Sequence, residues 1–170
     1  MPRTRPGDAF TSFVVEAGGL GHLVTAAGEV LARHGGQSLA RWVVLDAVAA
    51  APATVAQVAR QRGMARQPVQ RVADVLVAEG LAAFKPNPRH RRAQLLTLTP
   101  RGRRALATIT SQQEAWANSQ GAKIGTKTLE HARTLLAQIR PQISMPDPAR
   151  ADDPTVGRTR RATRDSSAMA

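Results

Sequence analysis

Residues 54–102, TVAQVARQRGMARQPVQRVADVLVAEGLAAFKPNPRHRRAQLLTLTPRG, decide the fold. Thr54 and Gln57 have the T-x-x-Q spacing of a capping box, in which two free backbone N–H groups at a helix start are satisfied reciprocally. They open a short helix through Arg62 with Val55, Val58 and Ala59 facing inward, and Gly63 supplies the left-handed residue that ends it. After a turn, residues 65–79 form a second helix whose buried stripe is Val69, Val72, Ala73, Leu76 and Val77. Pro68 fits there because it falls in the first turn, where backbone donors have no partner inside the helix. Gly80 closes that helix, 81–85 reads as a strand, and Pro86-Asn87-Pro88 forces a turn. Residues 93–99 alternate around Leu96 and Leu98 as a second strand pairing back on the first. The expected unit is a helix-turn-helix followed by a basic hairpin.

Eleven bases between Arg60 and Arg104 stand against Asp74 and Glu79, which places +9 of the chain's formal +12 in one segment. Such confinement is the footprint of a nucleic-acid-binding module. On the outer face of the second helix Gln67, Gln70, Arg71 and Asp74 lie at i, i+3, i+4 and i+7, beside Arg66 at its start. Gln can pair with adenine N6/N7 and Arg with guanine O6/N7, so this face carries the chemistry of major-groove readout. A merely solvated face is the bland alternative, and the short capped helix and glycine turn before it favour the groove. At the hairpin tip Arg89, His90, Arg91 and Arg92 have no packing use and suit phosphate contact or insertion into a minor groove; a solubilising charge run is the alternative.

Outward from this core, Phe10, Phe13, Val14, Ala17, Leu20, Val24, Ala27 and Leu31 step by three or four, predicting an amphipathic helix over 8–33 after a flexible Pro- and Arg-rich start at 1–7. Gly18, Gly19, Gly21 and Gly28 each weaken it by about 1 kcal/mol relative to Ala, which points to close packing on another helix, within the chain or from a second subunit. The fragment GGLGH follows no strand and lacks the later glycine of a phosphate-binding loop, so small residues at a helix crossing explain it better. Ser38 is the N-cap of the next helix, with Leu39, Trp42, Val43, Ala47 and Ala50 on one face. Thr99-Pro100-Arg101-Gly102 opens a helix to about residue 119 that turns Leu106, Ile109 and Trp116 inward. Residues 121–125 make a break. A last helix over 126–140 lines up Leu129, Ala132, Leu136, Ile139 and Ile143 as a seam that wants a partner. From 144 to 170 almost nothing can be buried, and a disordered tail is expected.

No cysteine occurs, which removes disulfides, thiolate metal sites and thiol redox sensing within this chain. The four histidines show no helical ligand spacing, so no metal or other cofactor is expected. The longest apolar run, 42–51, is broken by Asp46 and too short to span a bilayer, and the first residues lack a secretory apolar core. A soluble, cytoplasmic protein with no membrane partner is expected. No carboxylate pair, Ser-His-Asp set or lysine motif appears, so it is not expected to be an enzyme.

Three segments in order, QSLARWVVLDAV (37–48), 54–84 and NPRHRRAQLLTLTPRG (87–102), resemble the MarR family of bacterial winged-helix regulators. The resemblance implies a mainly α fold with a small β-hairpin wing. It divides the chain into an N-terminal dimerisation helix at 8–36, a winged helix-turn-helix at 37–104 and C-terminal dimerisation helices at 105–143. It implies a homodimeric, sequence-specific transcriptional regulator, most often a repressor, binding an inverted repeat in double-stranded DNA and associated with the nucleoid when bound. Many members release DNA on binding a small aromatic ligand, for which the place to look is between the first helix, the Trp42 helix and the Trp116 helix. Arg66, Gln67, Gln70 and Arg71 match major-groove positions, Arg89 and Arg91 the wing, and Arg92 the family's minor-groove arginine. Two residues depart from the family. His90 stands where an acid usually steadies the wing arginine, leaving Asp74 to pair with Arg71 or a wing arginine instead, and Ala65 replaces a serine N-cap. The rival reading is a winged helix that coats DNA without sequence preference or binds protein.

Overall fold

In the computed structural model, which describes residues 3–88, 90 and 92–145, six helices and one hairpin follow in the order α1 (Arg5–His34), α2 (Leu39–Ala47), α3 (Val55–Arg62), α4 (Arg66–Ala78), β1 (Ala82–Lys85), β2 (Leu95–Leu98), α5 (Pro100–Ile124) and α6 (Thr126–Ile139). A short 3-10 turn, Arg140–Gln142, ends this part of the chain.

The core is the helix-turn-helix. Val55, Val58 and Ala59 of α3, Val69, Ala73 and Leu76 of α4 and Val44 and Leu45 of α2 are buried together with Leu81, Ala82 and Leu96 of the hairpin region. Burying each large aliphatic side chain contributes roughly 1.5–3 kcal/mol, so the domain is held by this cluster. Thr54 and Gln57 form the full capping box, Thr54 N–H donating to Gln57 Oε1 (2.7 Å) and Gln57 N–H to Thr54 Oγ1 (3.2 Å). Gly63 takes φ +62 at the end of α3, the left-handed turn that glycine enters without a Cβ penalty. The strands pair antiparallel with Ala82 opposite Leu98 and Lys85 opposite Leu95. Ala53 adds a one-residue bridge to Leu96, tying the α2–α3 connection to the wing.

The sequence T-P-R-G at the start of α5 has a packing cause. A Cβ on Gly102 would stand inside the van der Waals radius of the Leu81 carbonyl oxygen. Only glycine lets the first turn of α5 lie on the start of the hairpin. Thr99 completes the joint: its Oγ1 donates to the Gly80 carbonyl (2.7 Å) and accepts from Gly102 N–H (3.1 Å).

Several expectations are corrected. α1 begins at Arg5, with Thr4 as N-cap accepting from Gly7 N–H, so residues 5–7 belong to the helix rather than to a loose start. Pro6 sits in the first turn, where it breaks nothing. In α2 the buried residues are Val44 and Leu45, with Val48 just beyond, because this helix is packed by α1, α3 and α4 at once; Ala50 is exposed outside it. α5 runs through Gly121 to Ile124, and the break falls at Gly125 with φ +89. Trp116 is 36% exposed rather than turned inward. The expected tail lies outside the described residues from 146 onward.

Two units separate at residue 120. Within the first, α1 is buried only near its end, at Gly28, Leu31 and Ala32, while Phe10, Val14, Leu20, Leu23 and Val24 are exposed. Within the second, α6 buries no residue and exposes Leu129, Leu135 and Leu136. No helix among the described residues is long and apolar enough to cross a membrane.

Candidate nucleic-acid interface

α4 is positioned by its apolar stripe against α2 and α3, which turns Arg66, Gln67 and Arg71 out as exposed residues and leaves Gln70 half-buried. Its N-cap, Ala65, has the extended backbone of a cap (φ −68, ψ 147) but makes no side-chain cap bond. Arg66 and Gln70 face Arg92 of the wing across a cleft of about 490 Å³, whose other walls include Thr54, Asp74, Phe84 and Gln94. The structure therefore brings together Arg66, Gln70 and Arg92. Gln67 and Arg71 stand on the exposed surface of α4 outside that cleft, and Arg89 and Arg91 lie outside the described residues.

A second cleft, about 560 Å³, separates the start of α3 from the wing and is lined by Thr54, Gln57, Arg60, His90 and Ala93. Arg60 and Gln94 were not singled out as site residues from the sequence. Arg60 is visible there only as one base among eleven, and nothing in the local pattern of Gln94 tells which way a wing residue faces.

The basic cluster divides by partner. Arg62 is bound to Asp46 of α2 (2.5 Å), Arg101 donates to the Glu79 carbonyl (2.8 Å) and Arg103 to the Leu98 carbonyl (2.9 Å). These three hold the domain together. Arg60, Arg66, Arg71 and Arg92 make no ion pair or side-chain hydrogen bond among the described residues, so their donors remain for an external anion. The expected pairing of Asp74 with Arg71 is corrected: Asp74 Oδ1 accepts from Gln70 Nε2 (2.8 Å), one turn back on the same helix, and neither Arg71 nor Arg92 is within ion-pair distance, while the wing's Arg89 and Arg91 lie outside the described residues.

A third cleft, about 380 Å³, lies where the α1–α2 corner meets α5 and includes His34, Gln37, Arg101, Arg104 and Thr108. Neither Trp42 nor Trp116 lines it. Among the described residues no cluster of three or more His, Cys, Asp or Glu side chains could hold a metal ion.

A helix-turn-helix followed by a two-stranded wing is the architecture on which this chain can be compared with known proteins. The MarR family model matches residues 31–93. A Mycobacterium tuberculosis protein described only as uncharacterized is 38% identical over 132 residues, spanning 78% of this chain and 92% of its own. Among solved structures, a MarR family transcription regulator superposes with a TM-score of 0.70 at 24% identity, covering 78% of this chain and 89% of that one. CouR from Rhodococcus jostii, bound to p-coumaroyl-CoA, gives 0.65 at 20% identity, covering 82% and 96%. This chain belongs to the MarR family and has the fold of its transcription regulators.

Proposed function

We propose that the protein is a homodimeric regulator of transcription in the bacterial cytoplasm that reads an inverted repeat in double-stranded DNA, acts as a repressor and is released by a small aromatic ligand. The observation that carries this reading is the surface of α4. Exposed Gln67 and Arg71 and half-buried Gln70 form a polar row over an apolar underside, and Arg66 and Arg92, both without partners among the described residues, line the cleft that Gln70 enters. Base-edge donors and acceptors on a helix, next to unpaired guanidinium groups, suit simultaneous contact with groove and phosphate.

Dimerisation is supported by the apolar residues that each unit leaves exposed, Leu20, Leu23 and Val24 on α1 and Leu129 and Leu136 on α6. A twofold dimer sets two α4 helices about one helical turn apart on the duplex. Ligand release is supported by CouR, a fold neighbour bound to an aromatic thioester. Selection from random duplex DNA with the purified full chain, repeated with a panel of aromatic acids and their thioesters, tests the proposal. An inverted-repeat motif is the expected return. Recovery of unbiased sequence would instead establish the DNA-coating reading.

A further inference from the structure

The hydrogen bond between Gln70 and Asp74 does more than tidy the surface of α4. A carboxylate only accepts, so it fixes which end of the Gln70 amide faces it: Nε2 points to Asp74 Oδ1 at 2.8 Å, and Oε1 is turned away. An amide has two hydrogens on its nitrogen. The one on the side-chain-stem side can serve Asp74, while the one beside the oxygen stays on the open edge. That open edge then presents one donor and one acceptor in fixed order, within the cleft that Gln70 and Asp74 share with Arg66 and Arg92.

We infer that Asp74 is a specificity-positioning residue, which holds Gln70 in the orientation that reads adenine and rejects guanine at one position of each half-site. This rests on the DNA-reading role proposed above. Adenine offers N7 as acceptor and N6–H as donor, matching the fixed donor–acceptor edge, whereas guanine offers N7 and O6, both acceptors. To contact guanine O6 the Gln70 amide has to turn over, which breaks its bond to Asp74 and brings two oxygens together. The Asp74 carboxylate adds repulsion toward the same acceptor. Asp74 is exposed, and among the described residues no arginine pairs with it, so none of these competes for the oxygen that holds Gln70.

The test is a base-by-base binding measurement with the full-length wild type and the Asp74→Ala, Gln70→Ala and double variants, all checked for unchanged thermal melting. For the wild type, adenine is expected over guanine by roughly 5- to 100-fold at one position, the range of a bidentate base contact. Gln70→Ala flattens that position. Asp74→Ala reduces the same preference by fivefold or more, and in the Gln70→Ala background it changes nothing further at that position. A wild type with no motif at all would sink the DNA-reading role itself. A clear motif in which Gln70→Ala alters no position, or in which Asp74→Ala shifts preferences equally with and without Gln70, would overturn the inference and leave that role standing.

Discussion

Gly102 of α5 lies directly on the carbonyl of Leu81, with no room for a Cβ between them. The contact joins the wing to the long helix that follows it, so the angle of the hairpin depends on a missing methyl group. Gly102→Ala is expected to lower stability by about 1–3 kcal/mol through overpacking. Gly121, also in α5 but placed where a methyl group would meet no described atom within 4 Å outside its own helix turn, is the control. Gly121→Ala is expected to leave stability unchanged or raise it by up to about 1 kcal/mol. Urea unfolding midpoints for the two variants check the contrast, and equal losses would contradict the packing.

A second joint runs from α2 to the end of α4, where Arg41 grips Glu79 with two hydrogen bonds of 3.0 and 2.5 Å. The side chains remain 26% and 43% exposed, so solvent screening reduces the pair's worth to about 1 kcal/mol or less despite its two-pronged geometry. Arg41→Ala and Glu79→Ala should each destabilise by that amount, and the double variant by little more than either. Fully additive losses in thermal melts would show that the pair does not act as a unit.

Ala65 has the backbone of an N-cap and no side chain to use it. Ala65→Ser supplies an oxygen for the free N–H groups at the start of α4 and should stabilise the protein by about 0.5–2 kcal/mol. A loss of stability on denaturant titration would mean that the α3–α4 turn is closed differently.

Much of this was legible in the sequence because short-range chemistry dictates it. Thr54 with Gln57, Gly63, Gly80 and the capping of Gly102 N–H by Thr99 each act within a few residues, so spacing alone locates α3, α4, the hairpin and the start of α5, whereas the bond from Thr99 to the Gly80 carbonyl is long-range. What escaped depends on distant partners. Glu29 of α1 accepts from Leu39 N–H (3.1 Å) and so helps Ser38 start α2, a contact across ten residues that no local pattern announces. The buried face of α2 is set by three neighbouring helices, and Trp116, an aromatic at core spacing, sits 36% exposed. At the site, the helical repeat displayed the outer face of α4, but the choice of Gln70 rather than an arginine as partner for Asp74 is a matter of side-chain reach.

Leu23 is 68% exposed on α1, so a charge there leaves the fold of one chain untouched. Leu23→Asp is expected to give a folded monomer by sedimentation and to weaken operator binding by at least tenfold, since one half-site contact would be lost. An unchanged dimer would place the subunit interface elsewhere.

On the proposed DNA-reading function, substitutions at Arg71 and Arg91 are expected to separate base reading from charge attraction. Arg71→Ala should cost about 1–3 kcal/mol at one base position and relax preference there, whereas Arg91→Ala should weaken all sequences alike and lower the salt slope by about one unit. Competition binding against single-base operator variants checks the first and a salt titration the second. If neither substitution alters binding at moderate salt, α4 and the wing do not face the DNA.

The most direct test of the whole reading is the ratio of affinities for the selected inverted repeat and for a scrambled duplex of the same composition, measured at physiological salt. Specific recognition by two α4 helices is expected to give a ratio of about 10³ or more, falling toward unity for the Gln67→Ala, Gln70→Ala, Arg71→Ala triple variant. A wild-type ratio near one would contradict it, and would leave a protein that holds DNA by charge alone.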